Sequence, residues 1–235
     1  MNYKRIVPNT ISGISLVLGV FSIFYTQEQN YFMAAICIIL SVVADSLDGR
    51  AARALGVQGP FGVEMDSLCD LGSFGIAPAI LAWSLVLKDF GFLGMAVAIF
   101  FAICGMWRLA RFNVNADVVH GYFMGLAIPA GGNIVAMSTL VFVETGFDPH
   151  ALGYSYPLIM AVVAYLMVSH VHYPNFKGDG AEPIYLPTKI FAALCFAAII
   201  YLGSAALVPA ILAAVFGTYA ASGILNSIIA IMRKG

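Results

Sequence analysis

Apolar runs long enough to cross a bilayer recur along almost the whole chain. They fall at roughly 10–26, 31–52, 66–87, 91–109, 122–143, 157–171, 187–203 and 206–231. A crossing helix needs about 20 apolar residues, so these runs predict an all-α, polytopic membrane bundle of about eight transmembrane helices. The run at 157–171 is short and ends in the polar pair Ser169 and His170, and Gly203 and Pro209 punctuate the last long stretch. Hydrophobic residues make up 61% of the chain and charged ones 10%. Soluble domains carry roughly 25% charged residues, and a soluble fold of 235 residues could not hide so much apolar surface. Without an internal repeat or a low-complexity tract, residues 1–235 read as one membrane domain.

The basic residues set an expected orientation. With the N-terminus inside, Lys4, Arg5, Arg50, Arg53, Arg108, Arg111, Lys177, Lys189, Arg233 and Lys234 all fall on the inner side, and Lys88 alone falls outside, beside Asp89. Positive charge concentrates on the cytoplasmic side of membrane proteins, which predicts both termini, and the loops 53–65, 110–121 and 172–186, in the cytoplasm. Lys4 and Arg5 precede the first apolar run without a small-residue cleavage site, so that run reads as an uncleaved span. Cys37, Cys69, Cys104 and Cys195 show no metal-ligand spacing and read as reduced, buried hydrophobes. Net charge is -1, and no nucleic-acid partner is expected.

Charge appears where the pattern least allows it. Asp45, Asp48, Arg50, Arg53, Glu64, Asp66 and Asp70 crowd the facing ends of two consecutive apolar runs. Ionisable groups in membrane helices are expensive and mark function. At about 100° per residue, Asp45 and Asp48 lie about 60° apart on a helix, and Asp66 and Asp70 about 40° apart. Gly56, Gly59, Pro60 and Gly62 between the pairs favour a reversal. Two antiparallel helices would then aim four carboxylates at one point. Like charges so close need cations between them, and an all-oxygen cage suits Mg²⁺ or Mn²⁺, with ligands enough for two ions. Such a pair of ions serves phosphoryl chemistry. Gly49 lets a bulky ligand approach the backbone, and Arg53 offers a fork to phosphate oxygens.

The segment from Asp45 to Asp70 fits the pattern D-x2-D-G-x2-A-R-x8-G-x3-D-x3-D without a gap. It resembles the signature of the CDP-alcohol phosphatidyltransferases. Further stretches resemble the bacterial and archaeal phosphatidylserine synthase branch: Ser73 to Pro78, Arg108 to Asn113, Gly125 to Pro129, Tyr173 to Lys177, and the opening Pro8 and Asn9. Cys69 and Ala127 depart from the usual residues of that branch. The resemblance implies transfer of a phosphatidyl group from CDP-diacylglycerol to L-serine, giving phosphatidylserine and CMP. It implies that Asp45, Asp48 and Asp66 ligate metal, that Asp70 ligates the second ion and acts as general base, and that Gly49, Arg53 and Gly62 contact the cytidine diphosphate. It also implies a homodimer.

A serine carboxylate wants a cation. Arg108 and Arg111, three residues apart at a cytosolic helix end, are the expected acceptor-binding residues, at least one of them holding the serine carboxylate or the donor phosphate, with topological anchoring as the plain alternative. Glu64 reads as a loop-face charge, and His120, His170 and His172 as interfacial residues. Trp83, Trp107, Tyr122, Tyr154, Tyr156 and Tyr173 fall near span ends, as interface anchors do. Gly91, Gly94, Gly217 and Gly223 are expected to permit close helix approach. Two other readings stand beside the main one. One is the same chemistry on glycerol phosphate, inositol phosphate or another alcohol, and the other is an ion-coupled transporter that uses the aspartates as a cation site.

Overall fold

The computed structural model describes residues 4, 6–115, 122–174, 185–202 and 207–234. Among them the chain is a polytopic helical membrane protein. Six helices are long and apolar enough to cross a bilayer: Ile6–Gln27, Tyr31–Ala54, Pro60–Leu85, Leu87–Asn115, Ile128–Thr145 and Pro209–Ile229. We label the elements α1 (Ile6–Gln27), α2 (Tyr31–Ala54), α3 (Pro60–Asp70), α4 (Ala77–Leu85), α5 (Gly91–Asn115), β1 (Tyr122–Met124), α6 (Ile128–Thr145), α7 (Ser155–Val168), β2 (His172–Pro174), α8 (Leu186–Leu202) and α9 (Leu207–Lys234). The apolar helices α7 and α8 have 14 and 17 residues. At 1.5 Å per residue they extend about 21 and 25 Å, short of a hydrocarbon core of about 30 Å.

Local chemistry explains most boundaries. The Asn30 side chain accepts from the Met33 amide at 3.2 Å and caps α2. The chain reverses after α2 through Gly56, whose φ of +63° is open to glycine and strained for other residues. Pro60 then opens α3, where its missing N–H is not needed. The helix therefore starts at Pro60, not near Asp66 as the apolar run suggested, and the loop expected at 53–65 shrinks to a short turn. The crossing Pro60–Leu85 is not uniform: residues Leu71–Ile76, directly after Asp70, form a π-turn.

The first helix is inverted relative to a soluble amphipathic helix. It buries Pro8, Ser12, Ser15, Gly19, Ser22 and Thr26 and turns Val17, Phe21 and Phe24 outward. Lipid is as apolar as those side chains, so small residues that let backbones approach do the packing. A Cβ added at Gly19 would come within 2.8 Å of Ser73 Cα in the π-turn. Gly132 on α6 likewise sits against the Phe74 carbonyl, which a Cβ would meet at 2.8 Å.

The expected span at 122–143 is corrected. Residues 122–124 form β1, which pairs antiparallel with β2 in the register Phe123↔Tyr173. The chain then turns at Gly125 (φ +78°), whose N–H donates to Val171 O at 2.8 Å, and α6 begins at Ile128. The β2 residue Tyr173 is fully buried, its hydroxyl donates to Ala220 O at 3.1 Å, and its ring meets Tyr219 at 5.0 Å. Burial, with a smaller contribution from Tyr219, holds the Tyr173 phenol above its ordinary range, so it remains a donor. Gly223 makes room for that ring, since a Cβ there would collide with Tyr173 Cε1. Of the other glycines expected at close approaches, Gly94 faces the Leu87 carbonyl and Gly217 faces Ile199. Gly91 faces nothing: its role is its φ of +55° at the start of α5.

Candidate active site

Helices α2 and α3 run into the Gly56 turn from opposite directions, so their acidic ends face each other. Carboxylate oxygens of Asp45, Asp48 and Asp66 lie within 4.8 Å of one another. Asp70 sits one turn deeper on α3 and is 7% exposed. It interacts electrostatically with Asp45, Asp66 and Arg108, and its Oδ1 has no hydrogen-bond partner. All four predicted aspartates therefore meet, three as one cluster and the fourth behind it. Three carboxylates this close in a low-dielectric setting repel strongly, and an oxygen-only donor set of this kind suits a hard divalent cation. The residues fit the metal that the sequence implied.

Beside the cluster opens a cleft of about 340 Å³. Asp48 and Asp66 stand on its wall with Gly49, Arg53 and Gly62, the three residues expected to take the cytidine diphosphate. The two glycines are not demanded by protein packing. A Cβ at Gly49 would meet nothing nearer than Arg53 Nη1 at 3.5 Å, and one at Gly62 nothing nearer than Asn9 Oδ1 at 3.7 Å. What such a side chain would intrude upon is the cleft itself. The remaining wall includes Pro8, Asn9 and Ser12 of α1, a contribution of the first helix that the motif did not reveal. Its signal was present as small polar residues at helical spacing in an otherwise apolar run.

Arg108 and Arg111 part company. Arg108 is 8% exposed, lies over the Phe112 ring at 5.1 Å from its centroid, and interacts with Asp70, Tyr219 and Asp45. Its Nε has no hydrogen-bond partner. Arg111 instead donates to four backbone carbonyls: Val168 at 2.8 Å, Met124 at 2.9 Å, Met167 at 3.1 Å and Ser169 at 3.0 Å. It closes the C-terminus of α7, where helix carbonyls lack partners, and ties it to β1. In this arrangement Arg111 is a packing tie between α5, α7 and β1, a role distinct from both ligand binding and topological anchoring.

Glu64 stands on α3 rather than on a loop, is exposed, and accepts from Asn113 Nδ2 at 3.4 Å. His170 is exposed, and His172 lies in β2 with its amide donating to Ser227 Oγ at 2.9 Å. His120 and Lys177 fall outside the described residues. Cys37, Cys69 and Cys104 are buried, Cys195 is half-buried, and all are free thiols.

Residues 5–169 match the model of the CDP-alcohol phosphatidyltransferase family. The chain belongs to that family. It is similar to the CDP-diacylglycerol–serine O-phosphatidyltransferase of Helicobacter pylori strain J99, with 37% identity over 183 residues, 75% of each chain. The protein of the same name from Bacillus subtilis is 33% identical over 187 residues, 77% of this chain and 96% of the relative. The archaetidylserine synthase of Methanothermobacter thermautotrophicus is 37% identical over 190 residues, 77% of each. Within this phosphatidyltransferase, the family match takes in the whole aspartate cluster and both arginines. Tyr219, which interacts with Arg108, lies beyond it on α9.

Proposed function

We propose that the chain transfers the phosphatidyl group of CDP-diacylglycerol to the hydroxyl of L-serine, giving phosphatidylserine and CMP. The observation that carries this reading is the convergence of Asp45, Asp48 and Asp66 beside a cleft walled by Gly49, Arg53 and Gly62. Relatives named for serine transfer support the acceptor. Asp45, Asp48, Asp66 and Asp70 would hold the divalent metal, Mg²⁺ or Mn²⁺, as two ions. Bound there, the metal neutralises diphosphate charge and stabilises the attacking and leaving oxygens.

The chain's own residues do the rest. Gly49 and Gly62 leave room for the cytidine diphosphate, and Arg53 donates to its phosphate oxygens. Arg108, buried with an unpartnered Nε, takes the serine carboxylate. Asp70, with a free oxygen in the same region, accepts the proton of the serine hydroxyl. A bond forms from the serine oxygen to the lipid-bearing β-phosphorus. The bond from that phosphorus to the bridging oxygen breaks, and CMP leaves with the electron pair. The whole chain acts as one catalytic domain, a homodimer in the cell's inner or plasma membrane, with the cleft open to the cytoplasm where serine is dissolved.

The test is release of CMP by purified protein given CDP-diacylglycerol, Mn²⁺ or Mg²⁺, and one alcohol at a time. Serine-dependent release that disappears in Asp70→Asn is expected. Release with glycerol phosphate or inositol phosphate but not serine would reassign the acceptor. Cation-coupled solute flux in sealed vesicles with no CMP released would replace the enzyme reading altogether.

A further inference from the structure

Helix α1 packs against both acid-bearing helices, and against the π-turn that follows Asp70. Its contacts are specific. Ser12 on α1 is 5% exposed and Asp48 is 6% exposed. The Ser12 hydroxyl lies in close hydrogen-bond contact with Asp48 Oδ2, and 3.2 Å from the carbonyl of Pro8. A hydroxyl has one proton to give, and the charged acceptor is the stronger partner. One turn on, Ser15 accepts at its carbonyl from Ser73 Oγ at 2.8 Å and from Ser41 Oγ at 3.1 Å. Ser73 stands three residues past Asp70 and Ser41 four before Asp45, so α1 is bonded to both sides of the carboxylate cluster.

We infer that Ser12 is a positioning residue for the metal centre: its hydroxyl takes one oxygen of Asp48 and fixes the rotation of that carboxylate toward Asp45 and Asp66. The inference rests on the reading that these aspartates hold a divalent cation. A carboxylate held by a neighbour meets a metal without first losing rotational freedom, and removal of such outer partners typically weakens metal binding 10- to 100-fold. Ser12 borders the cleft, but in this scheme its effect on the metal centre runs through its hydrogen bond to Asp48.

The matched pair Ser12→Thr and Ser12→Val tests it, since the two side chains share a shape and differ by the hydroxyl. Mn²⁺ binding to purified full-length protein, without lipid or serine, is followed by the loss of the free-ion electron paramagnetic resonance signal. In parallel, the Mn²⁺ concentration for half-maximal CMP release is measured. Ser12→Thr is expected within about threefold of the parent in both, and Ser12→Val about tenfold weaker in both. Ser22→Val, the same change at a fully buried site farther along the same face of α1, is expected to leave Mn²⁺ binding unaltered. Equal Mn²⁺ affinity in the Thr and Val variants overturns the role of Ser12 while leaving the metal reading intact. A parent protein that binds no Mn²⁺ overturns both.

Discussion

The cleft side of the molecule, built by α1, α2 and α3, and the hairpin side, built by α5, α7, α9 and the β1–β2 pair, use the same residue types to opposite ends. On the cleft side Gly49 and Gly62 border open space, whereas on the hairpin side Gly223 is filled by the Tyr173 ring. Arg108 and Arg111 stand one turn apart on α5, yet one lies within electrostatic reach of Asp70 and Asp45 with its Nε unpartnered, and the other donates to four carbonyls. A buried charged group without a protein partner beside a cluster of carboxylates, as at Arg108 and Asp70, is where a ligand would complete the arrangement. A polar group with every partner in place points to the fold. The distinction lies in the surroundings of each side chain and not in its identity.

That contrast can be broken in four places. The largest effect is expected from Asp70→Asn, which keeps the shape and removes the base: CMP release should fall by about 10³-fold, within the range for general-base loss. A loss under tenfold, in protein that elutes as the parent does, would take Asp70 out of the proton-transfer step. Next come the two arginines. Arg111→Lys cannot reproduce a planar fork shared by four carbonyls, so it should destabilise the protein by about 2–4 kcal/mol with the serine KM of the folded fraction unchanged. Arg108→Lys should do the reverse, keeping the melting temperature and raising the serine KM about tenfold, the effect of losing about 1.4 kcal/mol of binding. Exchange of these two outcomes would invert the assignment.

The glycines give a smaller version of the same test. Gly223→Ala forces a methyl into the Tyr173 ring and should lower stability by about 1–3 kcal/mol, as overpacking does. Gly49→Ala should leave stability within about 0.5 kcal/mol and raise the KM for CDP-diacylglycerol several-fold; a large drop in stability instead would make Gly49 a packing residue. The smallest expected effect is thermal. Saturating Mn²⁺ should raise the melting temperature of the parent by about 5 °C through binding to the folded state alone, and Asp66→Asn should abolish the shift. An equal shift in that variant would place the ion elsewhere.

Much of this could be read from the chain before any coordinates. The apolar runs mark nearly every helix, because a bilayer imposes a length and excludes charge. The aspartate spacing brings Asp45, Asp48, Asp66 and Asp70 together, because one short turn joins the helices that carry them. What escaped reading depends on partners far away in sequence. The strand pairing of Tyr122–Met124 with His172–Pro174 joins segments about 50 residues apart, and neither is long enough to announce itself. Arg111 reads as a ligand-binding or topological charge until the carbonyls of α7 appear beside it. Pro60 reads as part of a loop, because proline signals a turn and a helix start equally well. The role of the α1 serines escaped the sequence reading, because nothing local says that α1 packs against both acidic helices.

The π-turn at Leu71–Ile76 has a consequence for how this span is put together. Each such turn holds one more residue than an α-turn, so everything past Ile76 is rotated by about 100° relative to a continuous helix. The stretch before it presents carboxylates to α2, and the stretch after it presents Ala77, Ala79 and Leu81 to the bundle interior. The two halves of one crossing are thereby set in separate rotational phases. Losing a single residue between them would swing the acids away from their partners with every aspartate still in the chain.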